Sequence, residues 1–310
     1  MNAIFLDPDM DDAARRRALY EGQLIVYSPR PSSLALCDVA RKMSKEAFGA
    51  LDPRQAQHAM PVERYAAILA DLKPKFIHDP VVKTLMQAML RDFGCDPEQT
   101  YFDVPRLRTA TDGGYLTSGI AYAFHPHRDT WYSAPVSQIN WWLPVFEIEP
   151  NNAMAFHLLY WDQAIPNGSR DYNYAEWTRV SRATAARHIT SDTRRQPKPE
   201  EPVELDPQVR LVCKPGGLVL FSAAHLHSTV PNTSGYTRFS IDFRTVHLGD
   251  VRERRGAHNL DSACTGTTMG DYLRLQDLAQ VPDDVVQSYA QKPSVPTIGA
   301  GPGAAALQRA

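Results

Sequence analysis

The stretch KPGGLVLFSAAHLHSTVPNTSGYTRFSIDFRTVHL, residues 214–248, contains two runs rich in apolar and β-branched residues, separated by a turn-forming PNTSG sequence. Runs of this composition between turn residues predict β-strands. Shorter runs of the same kind, among them YFDVPRLRTAT, SQINWWLPVFEI and AMAFHLLYW, follow one another from residue 101 onward. Because no helices intervene at the spacing of βαβ units, the pattern predicts a β-sandwich or jelly roll rather than a parallel sheet.

The first hundred residues have the periodicity of helices instead. The segments AARRRALYEG, SSLALCDVARKMSKEAFG, VERYAAILADLKPKF and PVVKTLMQAMLRDFG each predict a helix, and QLIVYS predicts a short strand after the first of them. Gly22 and Gly49 stand where glycine commonly ends a helix. The fold class predicted is therefore α+β, mainly β, with an N-terminal helical scaffold and a jelly-roll core.

The chain of 310 residues predicts one domain over 1–291. Within it we expect helical support over 1–100, a core over 101–248 and a helical C-terminal segment over 249–291. A polar, arginine-containing insertion over 162–207 interrupts the core and is a candidate lid. The tail over 292–310 is rich in small residues, proline and glycine, which predicts disorder.

Composition excludes several classes of function. A formal charge of -2 without a basic stripe argues against a nucleic-acid partner. No apolar run approaches the ~18 residues of a membrane helix, and the acidic N-terminus does not resemble a secretory signal, so we expect a cytoplasmic protein. The four cysteines form no CxxC pair, which argues against a zinc site. A small molecule is the expected partner, and the sequence leaves the oligomeric state open.

Candidate metal ligands stand in HPHRDTWY, residues 125–132. On a strand His127 and Asp129 share a face, so they can present an imidazole and a carboxylate to one point. Two histidines and one carboxylate are the ligand set of non-haem Fe(II) oxygenases. His225 and His227, about a hundred residues later, share a face and offer the second histidine.

Two arginines follow on the next predicted strand. A dicarboxylate cosubstrate requires a permanently charged guanidinium that grips its distal carboxylate with two hydrogen bonds, and Arg238 fits this role. Arg244 lies six residues on and on the same face. It is either a second carboxylate contact for the substrate or cosubstrate, an outer partner, or a structural ion pair.

These motifs in this order resemble the phytanoyl-CoA dioxygenase-like branch of the Fe(II)/2-oxoglutarate-dependent oxygenases over roughly residues 100–248. The resemblance implies a double-stranded β-helix, cupin-like in form, with Fe(II) held by His127, Asp129 and His227. It implies that Arg238 binds 2-oxoglutarate, with Thr229 assisting, and that O2 is the oxidant. The eleven-residue spacing to Arg238 favours His227 over His225.

Substrate contacts are indicated less directly. Trp131 shares the ligand face on a strand and is predicted to line the substrate pocket, as is Arg244. Gln138 and Asn140 are polar where a core strand should be apolar, so we expect them either to contact the cosubstrate or substrate or to satisfy backbone groups at the rim of the sandwich. The arginines of the insertion favour an anionic or carboxylate-bearing small molecule.

Two hypotheses from different classes remain. The first is a 2-oxoglutarate-dependent oxygenase that oxidises a C–H bond of a small metabolite in a biosynthetic pathway, by hydroxylation, desaturation or ring formation. Halogenation is disfavoured because the carboxylate of Asp129 is present. The second is a cupin-like metal-binding protein or isomerase without 2-oxoglutarate turnover, which would use His125 with His127 and would not need Arg238.

Overall fold

A computed structural model describes residues 2–117, 125–181, 194 and 196–290 of the chain. Its four longer N-terminal helices match the predicted ones in position. The helices are α1 Asp12–Tyr20, α2 Pro31–Phe48, α3 Val62–His78, α4 Pro80–Asp92, the short α5 Tyr174–Glu176, α6 Leu248–Arg252 and α7 Asp283–Ala290. None of these described helices has the length and apolar composition needed to cross a membrane.

Local chemistry explains where these helices begin and end. The Asp11 carboxylate accepts from the N–H of Ala14 at the start of α1, and Asp79 does the same for Val81 at the start of α4. Gly49 follows α2 with a φ of +65°, a left-handed conformation that costs little without a Cβ. These caps fix the ends of the scaffold that covers one face of the main sheet.

The strands form two sheets. They are β1 Ile4–Leu6, β2 Leu24–Tyr27, β3 Thr100–Phe102, β4 Arg106–Ala110, β5 Ile139–Pro144, β6 Met154–Phe156, β7 Val209–Leu211, β8 Leu218–Ser222, β9 His227–Thr229, β10 Arg238–His247 and β11 Leu273–Arg274. The larger sheet has the order β1-β2-β8-β5-β10-β3-β11, with β4 beside β10, and the smaller has the order β7-β6-β9. The fold is thus mixed α and β, and β2 of the N-terminal region pairs with β8 of the core.

Alternation along β10 separates the core from the site. Phe239, Ile241 and Phe243 point into the main core, which also takes side chains from α2, α3 and α4. The residues between and beside them face the opposite side of the sheet and line one cavity: Arg238, Ser240, Asp242 and Arg244. The face of the main sheet that turns away from the helices therefore carries polar and charged groups.

The smaller sheet lies over that polar face. Trp142 and Phe221 of the large sheet pack in one cluster with Met154 and Phe156 of β6. This cluster holds the two sheets together beside the cavity, while β9 brings His227 to its wall. The space between the sheets is consequently where the candidate site residues meet.

The C-terminal segment differs from the prediction of a helical region. Between α6 and α7 the chain forms only a short 3₁₀ turn, Met269–Asp271, and the two-residue strand β11. It is held instead by backbone contacts such as the Ala257 N–H to the carbonyl of Val136 at 3.0 Å. The predicted tail over 292–310 lies outside the described residues.

Candidate active site

Two histidines meet at the edge between the sheets. His127 and His227 form an isolated antiparallel bridge in which each backbone N–H donates to the other's carbonyl at 3.0 Å. Directly paired residues of an antiparallel ladder point to the same face, so the two imidazoles project together. Their ring centroids are 4.3 Å apart.

The hydrogen bonds of the two rings determine their tautomers. His127 Nδ1 lies 2.8 Å from the carbonyl oxygen of His125, and His227 Nδ1 lies 3.0 Å from that of His225. A carbonyl oxygen can only accept, so each Nδ1 carries a proton, and Nε2 is the ring nitrogen that lies nearer Asp129. Metal-bound histidines are usually oriented by such a bond.

Asp129 completes the cluster. Its Oδ1 lies 3.4 Å from Nε2 of His127 and 4.0 Å from Nε2 of His227. The three ligand atoms all lie within 4.8 Å of one another. Two imidazole nitrogens and one carboxylate oxygen at this separation suit a mid-series divalent ion.

Titration favours the same state of the ligands. Burial lowers the pKa of His227 to about 3, and the neighbouring His127 adds to this. Burial alone would raise the pKa of Asp129, but His127, His227 and Arg244 together hold it well below its usual range. At neutral pH the site thus offers a neutral imidazole from His227 and an ionised carboxylate, the forms that bind metal.

The other two histidines of these motifs face elsewhere. His125 Nε2 lies 2.7 Å from the carbonyl oxygen of Pro197, and His225 Nε2 lies 3.1 Å from that of Gly22. Neither belongs to the ligand cluster found among the described residues. The geometry favours the HxD pair of His127 and Asp129 over the HxH alternative.

A chain of hydrogen bonds fixes the carboxylate of Asp129. Gln138 Nε2 donates to Oδ2 of Asp129 at 3.1 Å and to Oδ1 of Asn140 at 2.9 Å. The hydroxyl of Tyr272 donates to Oε1 of Gln138 at 2.7 Å. Both amide hydrogens of Gln138 are thus used. Asn140 also lines the cavity, and its buried Nδ2 has no hydrogen-bond partner within the described part of the chain.

Arg238 is a buried cation that faces the same cavity. Its Nη1 donates to the carbonyl of Asn152 at 2.9 Å, and its guanidinium lies 5.6 Å from the ring centroid of Trp142. Its buried Nε has no hydrogen-bond partner among the residues that the structure describes. Burial lowers its pKa to about 10, so it remains charged at neutral pH. A buried guanidinium that faces a cavity suits an anion, and Thr229 lines the cavity with it.

Of the two residues predicted to contact the substrate, Arg244 lines the cavity and Trp131 does not appear in the lining formed by the described residues. Trp131 does not lie on a strand, because Asp129–Tyr132 is a 3₁₀ turn, so the alternation that predicted a pocket position does not apply. Trp131 is fully buried, and its Nε1 donates to Asp261 at 2.7 Å. The neighbouring Tyr132 lines the cavity instead. Arg244 lines the cavity but is bound to Asp103 at 2.9 Å.

Several cavity residues were not predicted. Arg106 and Arg108 line it from β4, and Lys73 lines it from α3. The alternation in RLRTA could have placed the two arginines on one face. Nothing local in the sequence distinguishes Lys73 from Lys75, which lies on the exposed side of the same helix.

Among solved structures the chain is similar to EvdO2 from Micromonospora carbonacea var. aurantiaca complexed with 2-oxoglutarate, at 13% identity and a TM-score of 0.42, covering 77% of this chain and 92% of that one. It is similar to AviO1 from Streptomyces viridochromogenes Tue57, at 17% identity and a TM-score of 0.37, covering 77% and 96%. It is also similar to SnoN, a non-heme alpha ketoglutarate dependent epimerase from nogalamycin biosynthesis, at 11% identity and a TM-score of 0.36, covering 76% and 84%.

No protein-family model matches the sequence, and no curated protein matches it. The structural likenesses are too distant to carry a function.

Proposed function

We propose that this protein is an Fe(II)- and 2-oxoglutarate-dependent oxygenase that oxidises a C–H bond of a small molecule. One observation carries the proposal. The cluster of His127, Asp129 and His227 and the buried guanidinium of Arg238 line the same cavity of about 590 Å³. A metal site and an anion site in one cavity are what a keto-acid cosubstrate requires.

The protein's own groups have distinct roles in this proposal. His127, Asp129 and His227 hold the iron, and Arg238 binds the distal carboxylate of 2-oxoglutarate, with the hydroxyl of Thr229 beside it. When bound, iron and 2-oxoglutarate use O2 to supply the oxidant, with succinate and carbon dioxide as the other products. The chain orients the substrate and limits access of water.

The side-chain amides of Gln138 and Asn140 have different roles beside the proposed metal site. Gln138 orients Asp129, since both of its amide hydrogens already bind protein oxygens. Asn140 has a buried Nδ2 to which no described residue is hydrogen-bonded, so we assign it to the cosubstrate. This assignment revises the role expected for Gln138 and keeps that of Asn140.

Finer points of the assignment belong to the same proposal. We infer that the two sheets are the halves of a double-stranded β-helix within a single domain. We also place the chain in the phytanoyl-CoA dioxygenase-like branch, and hydroxylation is the reaction we expect. The eleven-residue spacing of His227 and Arg238 supports the branch, and the position of the cavity between the sheets supports the fold.

Spectroscopy of the cosubstrate complex tests the proposal. Anaerobic addition of Fe(II) and then 2-oxoglutarate to metal-free protein should give a weak visible charge-transfer band. Arg238→Met should lose the band at concentrations that saturate the wild type while it still binds iron, because only the carboxylate contact is removed. Asp129→Ala should lose iron binding itself.

The matched control is Arg210→Met, since Arg210 is an exposed arginine on β7. It should keep the band and its 2-oxoglutarate dependence. Iron binding without any band in the wild type would refute the proposal and favour the cupin-like alternative. A band that persists unchanged in Arg238→Met would move the cosubstrate site elsewhere.

A further inference from the structure

The C-terminal segment binds the turn that carries Asp129. Arg128 precedes Asp129 in the chain, and its Nε donates to Oδ2 of Asp261 at 3.1 Å. Trp131 follows in the same turn, and its Nε1 donates to Oδ1 of Asp261 at 2.7 Å. One carboxylate thus holds both ends of the short stretch that contains Asp129, whose own side chain lines the cavity.

Asp261 is itself fixed by its neighbours. The backbone N–H of Ile165 donates to its Oδ2 at 3.0 Å, and Asn167 Nδ2 donates to its carbonyl at 2.9 Å. The next residue, Ser262, donates from Oγ to the carbonyl of Thr130 at 2.5 Å, which adds a third contact to the same turn. The side chain of Asp261 is only 4% exposed, so water competes little for these donors.

Arg128 places a buried positive charge beside the metal ligands. Its Nη1 donates to the carbonyl of Ala224, three residues before His227, and its Nη2 donates to two carbonyls of residues 160–163. Among the partners that the structure describes, Asp261 is the one that carries a negative charge. A buried guanidinium is costly without a charged partner and would repel a nearby metal cation, and Asp261 offsets both effects.

We propose that Asp261 is a positioning residue of the metal site, which holds the turn so that Asp129 faces the two histidines. The turn needs such an anchor because an isolated bridge joins His127 to His227, and Asp129 lies beyond it in a 3₁₀ turn rather than in a strand. The inference rests on the part of the proposed function that places a metal at these three ligands. It also gives Trp131 a role, as a donor to the anchor behind the site.

Binding of manganese to the metal-free full chain tests this role without turnover, with free Mn(II) measured by its electron paramagnetic resonance signal. Asp261→Asn keeps the size of the side chain but removes its charge, and one amide oxygen replaces two carboxylate oxygens as the acceptor for three donors. We expect the Mn(II) affinity to fall about tenfold or more, as is usual when a residue that orients a metal ligand is lost. Circular dichroism checks that the variant is folded under the conditions of the titration.

The matched control is Asp12→Asn, in another ion pair of a buried arginine. Arg15 on α1 is 3% exposed, and its Nη2 donates to Oδ1 of Asp12 at 2.6 Å. Neither residue belongs to the cavity lining that the structure describes. Both Asp→Asn variants should lower the urea midpoint, because each removes the negative charge beside a buried guanidinium. Only Asp261→Asn should lower the Mn(II) affinity.

Two further measurements separate positioning from a loss of stability. Visible absorption of bound Co(II) reports the ligand geometry, so the spectrum at saturation should change in Asp261→Asn and stay that of the wild type in Asp12→Asn. Trp131→Phe removes one of the donors to Asp261 and should lower the Mn(II) affinity by less than Asp261→Asn does. This variant decides the question if Asp261→Asn does not fold.

Wild-type Mn(II) affinity in folded Asp261→Asn would overturn the proposal, as would an equal fall in Asp12→Asn. If Asp261→Asn does not fold, unchanged affinity in Trp131→Phe would overturn it. The proposed function fails separately, because the titration contains no 2-oxoglutarate. Bound Mn(II) without the charge-transfer band of the iron complex would refute the oxygenase and leave the role of Asp261 intact. A wild type that binds no Mn(II) would overturn both.

Discussion

Tyr272 is connected to the proposed metal site by hydrogen bonds through one intervening side chain, that of Gln138. Its hydroxyl donates to Oε1 of Gln138, which leaves the amide nitrogen of Gln138 to face Asp129. Tyr272→Phe removes the donor that fixes this orientation, and Gln138→Leu removes the contact to the carboxylate. We expect metal affinity to fall by roughly 10-fold in the first variant and up to ~100-fold in the second. Competition with a chelator measures both.

Tyr289→Phe is the matched control, because its hydroxyl donates to the carbonyl of Val251 at 2.9 Å. It should leave metal affinity unchanged. Gln138→Glu should lower the metal affinity. Its carboxylate would repel Asp129, whereas the amide of Gln138 donates a hydrogen bond to it. Unaltered affinity in Gln138→Leu would remove Gln138 from the metal site.

Burial of the Lys73 ammonium lowers the free energy of unfolding of the ligand-free protein. Its pKa is lowered from 10.5 to about 7, chiefly by burial. Between these values the unfolded chain binds more protons than the folded one, so the contribution of Lys73 to stability improves as pH rises. The cost is complete below about pH 7 and is relieved towards pH 10.5.

Lys73→Met should therefore stabilise metal-free protein, by about 1 kcal/mol near neutral pH, since water still reaches part of the side chain. The gain should shrink between pH 7 and pH 10. Urea unfolding at several pH values measures it, with Lys75→Met as the control that should show no such trend. A variant less stable than the wild type at every pH would contradict the assignment of the pKa.

The C-terminal segment supports the loop that precedes β5. A Cβ added to Gly256 would lie 2.4 Å from the backbone carbonyl of Val136, two residues before Gln138. Gly256→Ala should destabilise the protein by roughly 2–4 kcal/mol, because backbone has to move on both sides. It should also weaken metal binding, since the displaced loop carries Gln138.

Gly270→Ala is the matched control in the same segment, because no heavy atom lies within 4 Å of its added Cβ. Its effect on stability should stay within about 0.5 kcal/mol. Thermal unfolding and chelator competition on the pair separate the two effects. If Gly256→Ala unfolds at the wild-type temperature, the close approach of this segment to the loop is not required.

Helices and strands with strong periodicity could be predicted from sequence, but the 3₁₀ turn Asp129–Tyr132 could not. Apolar residues alternate with Arg238, Ser240, Asp242 and Arg244 on β10, which predicts a face for each of them. The turn at Asp129 still brings the carboxylate to both histidines, but it moves Trp131 behind the site. Spacing alone does not distinguish a strand from a 3₁₀ turn after a single bridged residue.

Contacts between distant parts of the chain lie beyond local pattern. The order of the large sheet pairs β2 with β8 and β4 with β10, across separations that no periodicity encodes. Lys73 reaches the cavity only because α3 packs beside β4, and Tyr272 reaches Gln138 from the C-terminal segment. The residues that we propose to hold the metal and the cosubstrate could therefore be named from sequence, whereas the positions of Lys73 and Tyr272 required the tertiary structure.

The effect of ligands on the stability of the whole protein tests the proposed metal site and the proposed 2-oxoglutarate site in one measurement. A ligand that binds only the folded state adds stability, about 2.7 kcal/mol at a hundredfold excess over its Kd. Wild-type protein should gain one increment in melting temperature from Mn(II) and a further one from 2-oxoglutarate. Arg238→Met should keep the first and lose the second, and Asp129→Ala should lose both. An equal gain from 2-oxoglutarate in Arg238→Met would show that this buried guanidinium does not bind the keto acid.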